Sequence, residues 1–579
     1  MLCAAQDTDP QPEQAVPTQA AAGPLAMVHG VVRNVATGEP LPRALIRIEG
    51  DASTGTLTDG DGHFEIPGVP LGPQEIEVIK PGFLDQAFSG VGTNSQVQQF
   101  ILAFTHGGHS IFVAAEMPDV VFTMSPTNSI HGQIRLSTGD TAQGINVMLL
   151  RQEVHDGRVV WQAASTAKTN SDGGYRFGGL ADGVYAVYTE PAQGSELATD
   201  LVETGQGGTV AHRGYASQFY PEARDLGGAA KIRLRGGDQA QADLAITLES
   251  FHAVTATVLL PGGRRSAEAS PEQAGMSFSP EVMDGQGHQL SYTALYDPAT
   301  RTVQASLPDG TYSLLVTVTP AGSAARVGGS RSASAVTESA PLLGQVDFAV
   351  AGHAVSDLRI PVSPARSSAV QVNVLRTAAQ PTQRSDSTVI ITLSQAGGWI
   401  GDGMVSAFAE GSASGPLETT FAPPGSYWAH INIAQKGLCE GSFTAGGASL
   451  AREPLFVGPS GQAAPLNLTL RDDCASLTLS LPATLAGRVV GEEPFYTVYA
   501  VPDFDSTSDV VPQTLRPSTG GTVTLEGLTP GSYHVYAFDQ PVALEYRNPE
   551  ALATLPNPGQ AVTLSPGTTS NLVVEVPEH

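Results

Sequence analysis

The chain has 579 residues, of which 41% are hydrophobic and 15% are charged, and its formal net charge at pH 7 is −27. This length exceeds what one hydrophobic core can organise, so we expect about four to six domains. The negative charge argues against nucleic acid or an anionic membrane surface as a partner. No run of about 20 apolar residues is present, so the sequence predicts no transmembrane helix. The 64 glycines and 42 prolines are typical of turn-rich β-sandwiches rather than helix bundles.

Residues 1–26 are interpreted as a disordered tail or as the remnant of a signal peptide. The first six residues, MLCAAQ, resemble the end of a secretory signal with an Ala-x-Ala-like cleavage region, without the basic and apolar parts that normally precede it. The polar stretch that follows fits a disordered tail on either interpretation. On the signal interpretation the chain is secreted, periplasmic or on the cell surface, and its signal peptide is truncated.

The stretch 27–118 carries a pattern that the rest of the chain repeats. Alternating apolar and polar residues predict strands with one buried face, at 28–32, 44–48, 64–66 and 75–79. Between them, the turn TDGDG at 58–62 has the glycines that a hairpin turn needs for positive φ.

Asp59 and Asp61 in this turn are weak Ca²⁺ candidates, because carboxylates that alternate with glycine can bind that ion. A calcium loop would continue with further oxygen ligands and a bidentate glutamate, whereas this sequence enters a strand at once. A hairpin turn is the favoured interpretation, and we assign no metal site.

The order of these features resembles the carboxypeptidase regulatory-like domain. The shared motifs are Gly-x-Val at 30–32, Pro-Leu-x-x-Ala-x-Ile at 40–46, Thr-Asp-x-x-Gly-x-Phe-x-Ile at 58–66 and Gly-x-x-x-Ile-x-Val-x-x-x-Gly-Phe at 72–83. The resemblance implies a small transthyretin-like β-sandwich that accompanies catalytic domains or membrane barrels and has no catalytic residues of its own. The family is also grouped with carbohydrate-binding-like sandwiches, which implies sugar binding by analogy only.

The end of this pattern recurs along the chain. Four later copies contain Gly-x-Tyr, and with Gln74 in the place of the first tyrosine the copies are 111, 127, 115 and 106 residues apart. Such an interval corresponds to one sandwich domain. We therefore predict an all-β fold of tandem transthyretin-like or immunoglobulin-like β-sandwich domains in an elongated array. These predicted domains are called modules 1 to 5, with expected ranges 27–118, 119–250, 251–365, 366–471 and 472–579, and module 2 is expected to carry a long insertion at 189–234.

The repeated tyrosines are expected to be structural. A preceding turn with proline or glycine lets the tyrosine bury its ring while its hydroxyl reaches a backbone group, as in the tyrosine corners of other sandwiches. Sugar stacking would need exposed rings, and the spacing predicts buried ones. The residues concerned are Tyr185, Tyr312, Tyr427 and Tyr533.

Two of the three cysteines, Cys439 and Cys474, lie 35 residues apart in a chain that otherwise avoids cysteine. We predict that they form a disulfide, which implies an oxidising compartment. Two buried free thiols are the alternative. A zinc site is disfavoured, because no His or Cys lies nearby at the usual ligand spacing.

Aromatic residues that could stack on a sugar are the remaining candidates for a ligand site. Trp399 is flanked by glycines that could leave its ring open, and Trp161, Phe219 and Tyr220 are further candidates. Burial in a module core explains each of them as well.

The sequence favours a non-catalytic protein outside the cytoplasm. The zinc-protease motif His-Glu-x-x-His and the nucleophile elbow Gly-x-Ser-x-Gly are both absent, and we expect no catalytic residue and no cofactor. The favoured role is polysaccharide binding, adhesion or spacing, with extracellular polysaccharide or an envelope protein as partner. A purely structural stalk, an accessory subunit of an envelope enzyme or transporter, and a cryptic hydrolase are the alternatives.

Overall fold

The computed structural model of the chain describes residues 24–576 with internal gaps. The gaps are residues 49–54, 86–108, 118, 138, 140, 194–201, 205–209, 262–274, 285–288, 321–340, 378–387, 398, 401–406, 413–416, 420, 434–436, 460, 483–495, 509–512, 516–521 and 539–541. Most of the predicted tail or signal remnant, residues 1–23, lies outside the described residues. The chain separates into two compact units, one with the described residues up to Lys80 and those from His109 to Thr123, and one with the remainder.

The strands of module 1 belong to two sheets. Its described strands are β1 Leu25–Asn34, β2 Leu45–Ile48, β3 Gly55–Leu57, β4 His63–Pro70, β5 Gly72–Ile79, β6 Phe83–Asp85, β7 His109–Val113 and β8 Val120–Pro126. The strand orders are β4-β1-β8-β6 and β3-β2-β5-β7. Strand β8 joins the sheet of β1, although the boundary of module 1 was expected at residue 118.

Module 2 repeats this architecture. Its strands are β9 Asn128–Leu136, β10 Asn146–His155, β11 Arg158–Lys168, β12 Gly174–Leu180, β13 Gly183–Thr189, β14 Ala192–Gln193, β15 Val202–Thr204, β16 Val210–Tyr215, β17 Gln218–Phe219, β18 Ile232–Leu234, β19 Gln239–Gln241 and β20 Leu244–Ile246. Strands β17 and β18 both pair with β13. The segment predicted as an insertion thus adds strands to the sheet of the module itself.

Module 3 begins with a strand that crosses the expected boundary at residue 250. Its strands are β21 Leu248–Leu259, β22 Met276–Met283, β23 Gln289–Leu290, β24 Ala294–Asp297, β25 Thr302–Leu307, β26 Gly310–Pro320, β27 Leu342–Val350, β28 Val355–Pro361 and β29 Ser363–Pro364. The start of β21 pairs with β16 of module 2, and its later part pairs with β25 and β28.

Modules 4 and 5 complete the described chain. The strands of module 4 are β30 Ala369–Leu375, β31 Thr388–Gln395, β32 Trp399–Ile400, β33 Ala407–Ser412, β34 Leu417–Glu418, β35 Gly425–Ile433, β36 Cys439–Ala445, β37 Ala448–Ser449, β38 Leu455–Val457 and β39 Leu466–Arg471. Those of module 5 are β40 Ala475–Ser480, β41 Tyr496–Pro502, β42 Gln513–Leu515, β43 Thr522–Leu528, β44 Gly531–Phe538, β45 Gln560–Leu564 and β46 Thr569–Val573, with helix α1 Pro549–Ala553 between β44 and β45.

Period-two burial builds the cores. Along β39 and β40 every second residue is buried, because successive side chains of a strand point to opposite faces. Separate hydrophobic clusters fill modules 2, 3, 4 and 5. The predicted all-β fold class is confirmed. In the described part of the chain no helix has the length and apolar character needed to span a bilayer.

The glycine that opens the repeated pattern, Gly30 in module 1 and Gly132 in module 2, allows two backbone segments to lie very close together. A Cβ atom on Gly30 would lie 1.8 Å from the carbonyl oxygen of Val120, and a Cβ atom on Gly132 would lie 2.1 Å from that of Ala242. Only glycine lets the neighbouring strand pass at these two points. The same contact therefore explains the same motif residue in modules 1 and 2.

Candidate functional site

The aromatic residues considered for sugar stacking lie mainly in the interior. Trp161 and Phe219 are 9% and 7% exposed and belong to a small hydrophobic cluster with Tyr188. The ring of Phe219 stacks on that of Tyr188, with centroids 4.9 Å apart. Tyr220 is half-buried and packs against the core of module 2. These rings do not present the open face that sugar stacking requires.

Trp399 lies in β32, which pairs in parallel with β11 of module 2 so that the backbones of Trp399 and Trp161 are opposite each other. Its side chain lies outside the described part of the structure. A short segment of module 4 thus extends the sheet of module 2.

The Asp59 turn is a hairpin turn held by its own carboxylate. Asp59 Oδ1 accepts from the backbone N–H groups of Asp61 and His63, at 2.9 and 2.8 Å. Asn170 makes the same pattern in module 2, accepting from Asp172 and from the residue two positions later. Such side chain to backbone bonds are characteristic of Asx turns. Across the residues that the structure describes, no group of three or more His, Cys, Asp or Glu side chains is placed to hold a metal ion.

The repeated tyrosines share one geometry. All four rings are buried, with exposures between 1% and 6%. Each hydroxyl donates to the carbonyl oxygen four residues earlier, at 2.7 to 3.1 Å. For Tyr185, Tyr312 and Tyr533, burial is the main cause that raises the pKa of the phenol. The tyrosines therefore hold the turn before their strand and are not available to a ligand.

Cys439 and Cys474 form a disulfide with their Cα atoms 5.8 Å apart, a normal separation for such a bond. Cys439 begins β36 of module 4, and Cys474 immediately precedes β40 of module 5. The short segment between modules is also held by Arg471, which binds both carboxylate oxygens of Asp473 at 2.8 and 2.7 Å. The disulfide therefore ties β36 of module 4 to the start of module 5.

The carboxylate of Glu440, next to Cys439, binds a loop of module 5. Its side chain is buried, and its oxygens accept from Ser506 Oγ, from the N–H and hydroxyl of Thr507, and from the N–H and hydroxyl of Ser508, at 2.6 to 3.0 Å. The N–H of Ile431 in β35 donates to the carbonyl of Thr507 at 3.0 Å. A buried carboxylate is tolerated only when it is hydrogen-bonded in this way.

The turn between β10 and β11 of module 2 reaches the same region. Asp156 and Gly157 have φ values of 47° and 68°, which suits a two-residue hairpin turn. Asp156 Oδ2 pairs with His430 Nε2 of module 4 at 2.9 Å. The side chain of Arg547 in module 5 donates to the carbonyl of Asp156 at 3.0 Å and to that of Ser506 at 2.9 Å.

Arg158, the next residue, contacts two residues of module 4. Its guanidinium carbon lies 3.5 Å from the ring centroid of Trp428, a cation–π contact. Its Nη2 donates to the carbonyl of Ala451 at 3.1 Å. Burial and the nearby charge of Arg547 lower the pKa of Arg158 to about 10.

We call this region the three-module junction. It comprises Asp156, Gly157 and Arg158 of module 2, Trp428, His430 and Glu440 of module 4, and Ser506, Thr507, Ser508, Tyr546 and Arg547 of module 5. Sequence reasoning did not find it. The Asp-Gly pair at 156–157 signals a hairpin turn, but nothing in the sequence indicates which distant residues the turn contacts.

Comparison with known proteins identifies the first module. Residues 27–103 match the family of the carboxypeptidase regulatory-like domain, so the resemblance drawn from the sequence is confirmed for this part of the chain. No curated protein matches the chain significantly.

Solved structures give distant likenesses. The Bacillus anthracis TIE protein is 12% identical, with 72% of this chain and 70% of that protein covered and a TM-score of 0.16. The shaft pilin SpaA of Lactobacillus rhamnosus GG is 11% identical, with 39% and 98% covered and a TM-score of 0.19. A streptococcal ancillary pilin is 11% identical, with 59% and 100% covered and a TM-score of 0.18. At these scores the likenesses carry no argument about function.

Proposed function

We propose that the protein is a non-catalytic structural spacer that works outside the cytoplasm. The observation that carries the proposal is the three-module junction, where buried charged and hydroxyl side chains hold modules together. The disulfide between Cys439 and Cys474 supports an oxidising compartment. A net charge of −27 supports solubility in such a setting.

Single-molecule stretching of the full chain between its termini tests this role. A load-bearing spacer is expected to unfold in separate force peaks, because each β-sandwich resists extension through its own core. Reduction of the disulfide should then lengthen the extended chain by about 12 nm, since the bond hides 35 residues of sequence at about 3.4 Å each. Extension without force peaks would contradict the spacer role, whatever the state of the disulfide.

Polysaccharide binding is the second candidate, and one observation favours it. Phe456 on β38 and Phe112 on β7 are 68% and 55% exposed, and exposed aromatic rings are the usual stacking faces for sugars. Binding of the full chain to a polysaccharide panel should be compared with that of Phe456→Ala and Phe112→Ala. Leu295→Ala, at a similarly exposed apolar residue (66%), is the control.

Loss of binding in one phenylalanine variant, with binding retained in the leucine variant, would establish a sugar site and locate it. Absence of binding by the unmodified chain across the panel would exclude this second candidate and leave the spacer proposal intact.

A further inference from the structure

The turn at 156–158 is enclosed by two other modules. Besides the side-chain contacts of Asp156 and Arg158, the backbone N–H of Arg547 donates to the carbonyl of Gly157 at 3.2 Å. A Cβ atom on Gly157 would lie 2.7 Å from the ring of Tyr546. The turn therefore fits a recess in which even one added methyl group has no room.

The charged groups of the three-module junction lie close enough to interact electrostatically. His430 and Arg547 face Asp156, and so does His155 on the same hairpin. Arg158 lies close enough to Arg547 to be affected by its charge, and Arg158 Nε is buried with no hydrogen-bond partner among the residues that the structure describes. The carboxylate of Asp156 thus offsets the charges of Arg547 and Arg158, whose guanidinium groups lie close together in a weakly solvated place.

A chain of hydrogen bonds connects this turn to the loop at residues 506–508 that binds the Glu440 carboxylate, which we call the Glu440 loop. Arg547 bridges the carbonyls of Asp156 and Ser506, and Ser506 Oγ donates to the carboxylate of Glu440 at 2.9 Å. The two sets of contacts therefore share Arg547 and the loop that begins at Ser506, so release of one set removes support from the other.

We propose that the Asp156–Gly157–Arg158 turn is a conformational lock that couples modules 2, 4 and 5, with the Asp156 carboxylate as the group that holds it closed. When the turn is seated, it protects the Glu440 loop and β35 from local opening. When it leaves, the Glu440 loop and β35 lose protection while the core of module 2 stays folded. The lock goes beyond the spacer role and does not require it.

Hydrogen–deuterium exchange of the full chain at neutral pH tests the lock. Asp156→Asn removes the charge and keeps the shape of the side chain. We expect at least tenfold faster exchange at the amides of Ile431, Thr507 and Arg547, and unchanged exchange in strands β9 and β12.

Asp172→Asn is the matched control, because Asp172 is an exposed turn residue of the same module and its replacement removes the same charge. Gly157→Ala displaces the turn by a second mechanism, because the added methyl group would clash with the ring of Tyr546. This variant should give the same exchange pattern as Asp156→Asn. Unchanged protection at the three amides in both variants would overturn the lock. Equal loss in the Asp172 control, or loss confined to module 2, would overturn it as well.

Discussion

At the scale of single residues, the repeated tyrosines combine two separable contributions. In Tyr427→Phe we expect a loss of about 1 kcal/mol of stability in module 4, because the 2.8 Å hydrogen bond to the carbonyl of Pro423 is removed while the ring stays in place. In Tyr427→Ala we expect a loss of about 3–5 kcal/mol of stability, because removal of a buried ring leaves a cavity. Exchange of the β31 and β35 amides measures both values. Equal losses in the two variants would contradict the assignment of the larger part to the ring.

Asp156 gives a prediction about pH. Burial acts to raise its pKa, but the hydrogen bond and charge of His430, with the charges of Arg547 and His155, hold the pKa below its usual 3.8. A lowered pKa means that the stabilisation is complete above the usual value and is lost as the pH falls through the lower, folded-state pKa.

The stability difference between the unmodified chain and Asp156→Asn should therefore shrink towards zero as the pH is lowered below about 4. Comparison of the two chains is needed because the other carboxylates titrate in the same range and cancel in the difference. Exchange measured over a pH series checks this, and a difference that persists at about pH 2 would show that the charge of Asp156 is not its cause.

At the scale of elements, the loop around Ser506 depends on one side chain of another module. In Glu440→Gln an amide NH₂ replaces an acceptor oxygen among Ser506, Thr507 and Ser508, so at least one buried donor loses its partner. We expect a loss of about 2 kcal/mol or more at the contact of modules 4 and 5. Glu453→Gln, at an exposed glutamate of module 4, should stay within about 0.5 kcal/mol. Amide hydrogen exchange in the loop around Ser506 measures the stability of both variants and distinguishes Glu440→Gln from Glu453→Gln.

Three of the strands that sequence patterns predicted lie within long elements. The predictions at 28–32, 64–66 and 75–79 fall in β1, β4 and β5, which have eight to ten residues, whereas β17 and β18 have only two and three residues. A strand this short has no readable period, so its segment was interpreted as an insertion. The boundary expected at residue 250 falls inside β21 for a related reason, since a strand shared by two sheets gives no break in the pattern.

At the scale of the whole molecule, the disulfide joins modules 4 and 5, which are also joined by the hydrogen bonds of Glu440. Replacing both Cys439 and Cys474 by alanine should lower stability by about 2–4 kcal/mol, because the unfolded chain is then no longer constrained by a 35-residue loop. The reduced unmodified chain should behave like this variant. Equal denaturant midpoints for the variant and the oxidised chain would argue against a stabilising bond in solution.

The sequence by itself determined the fold class and the tandem repeats, because strand alternation and turn chemistry are local properties, and its motifs indicated the family of residues 27–103 by resemblance. The boundaries of all five modules remain predictions. Only the tertiary structure decided that Trp161 is buried and that Asp156, His430, Glu440 and Arg547 meet at one junction. These residues are up to 391 positions apart in the sequence. The sequence around an isolated charged residue does not show whether its side chain lies in solvent or between modules. The physical reason is that pairing between distant surfaces depends on how folded modules pack, which no local pattern encodes.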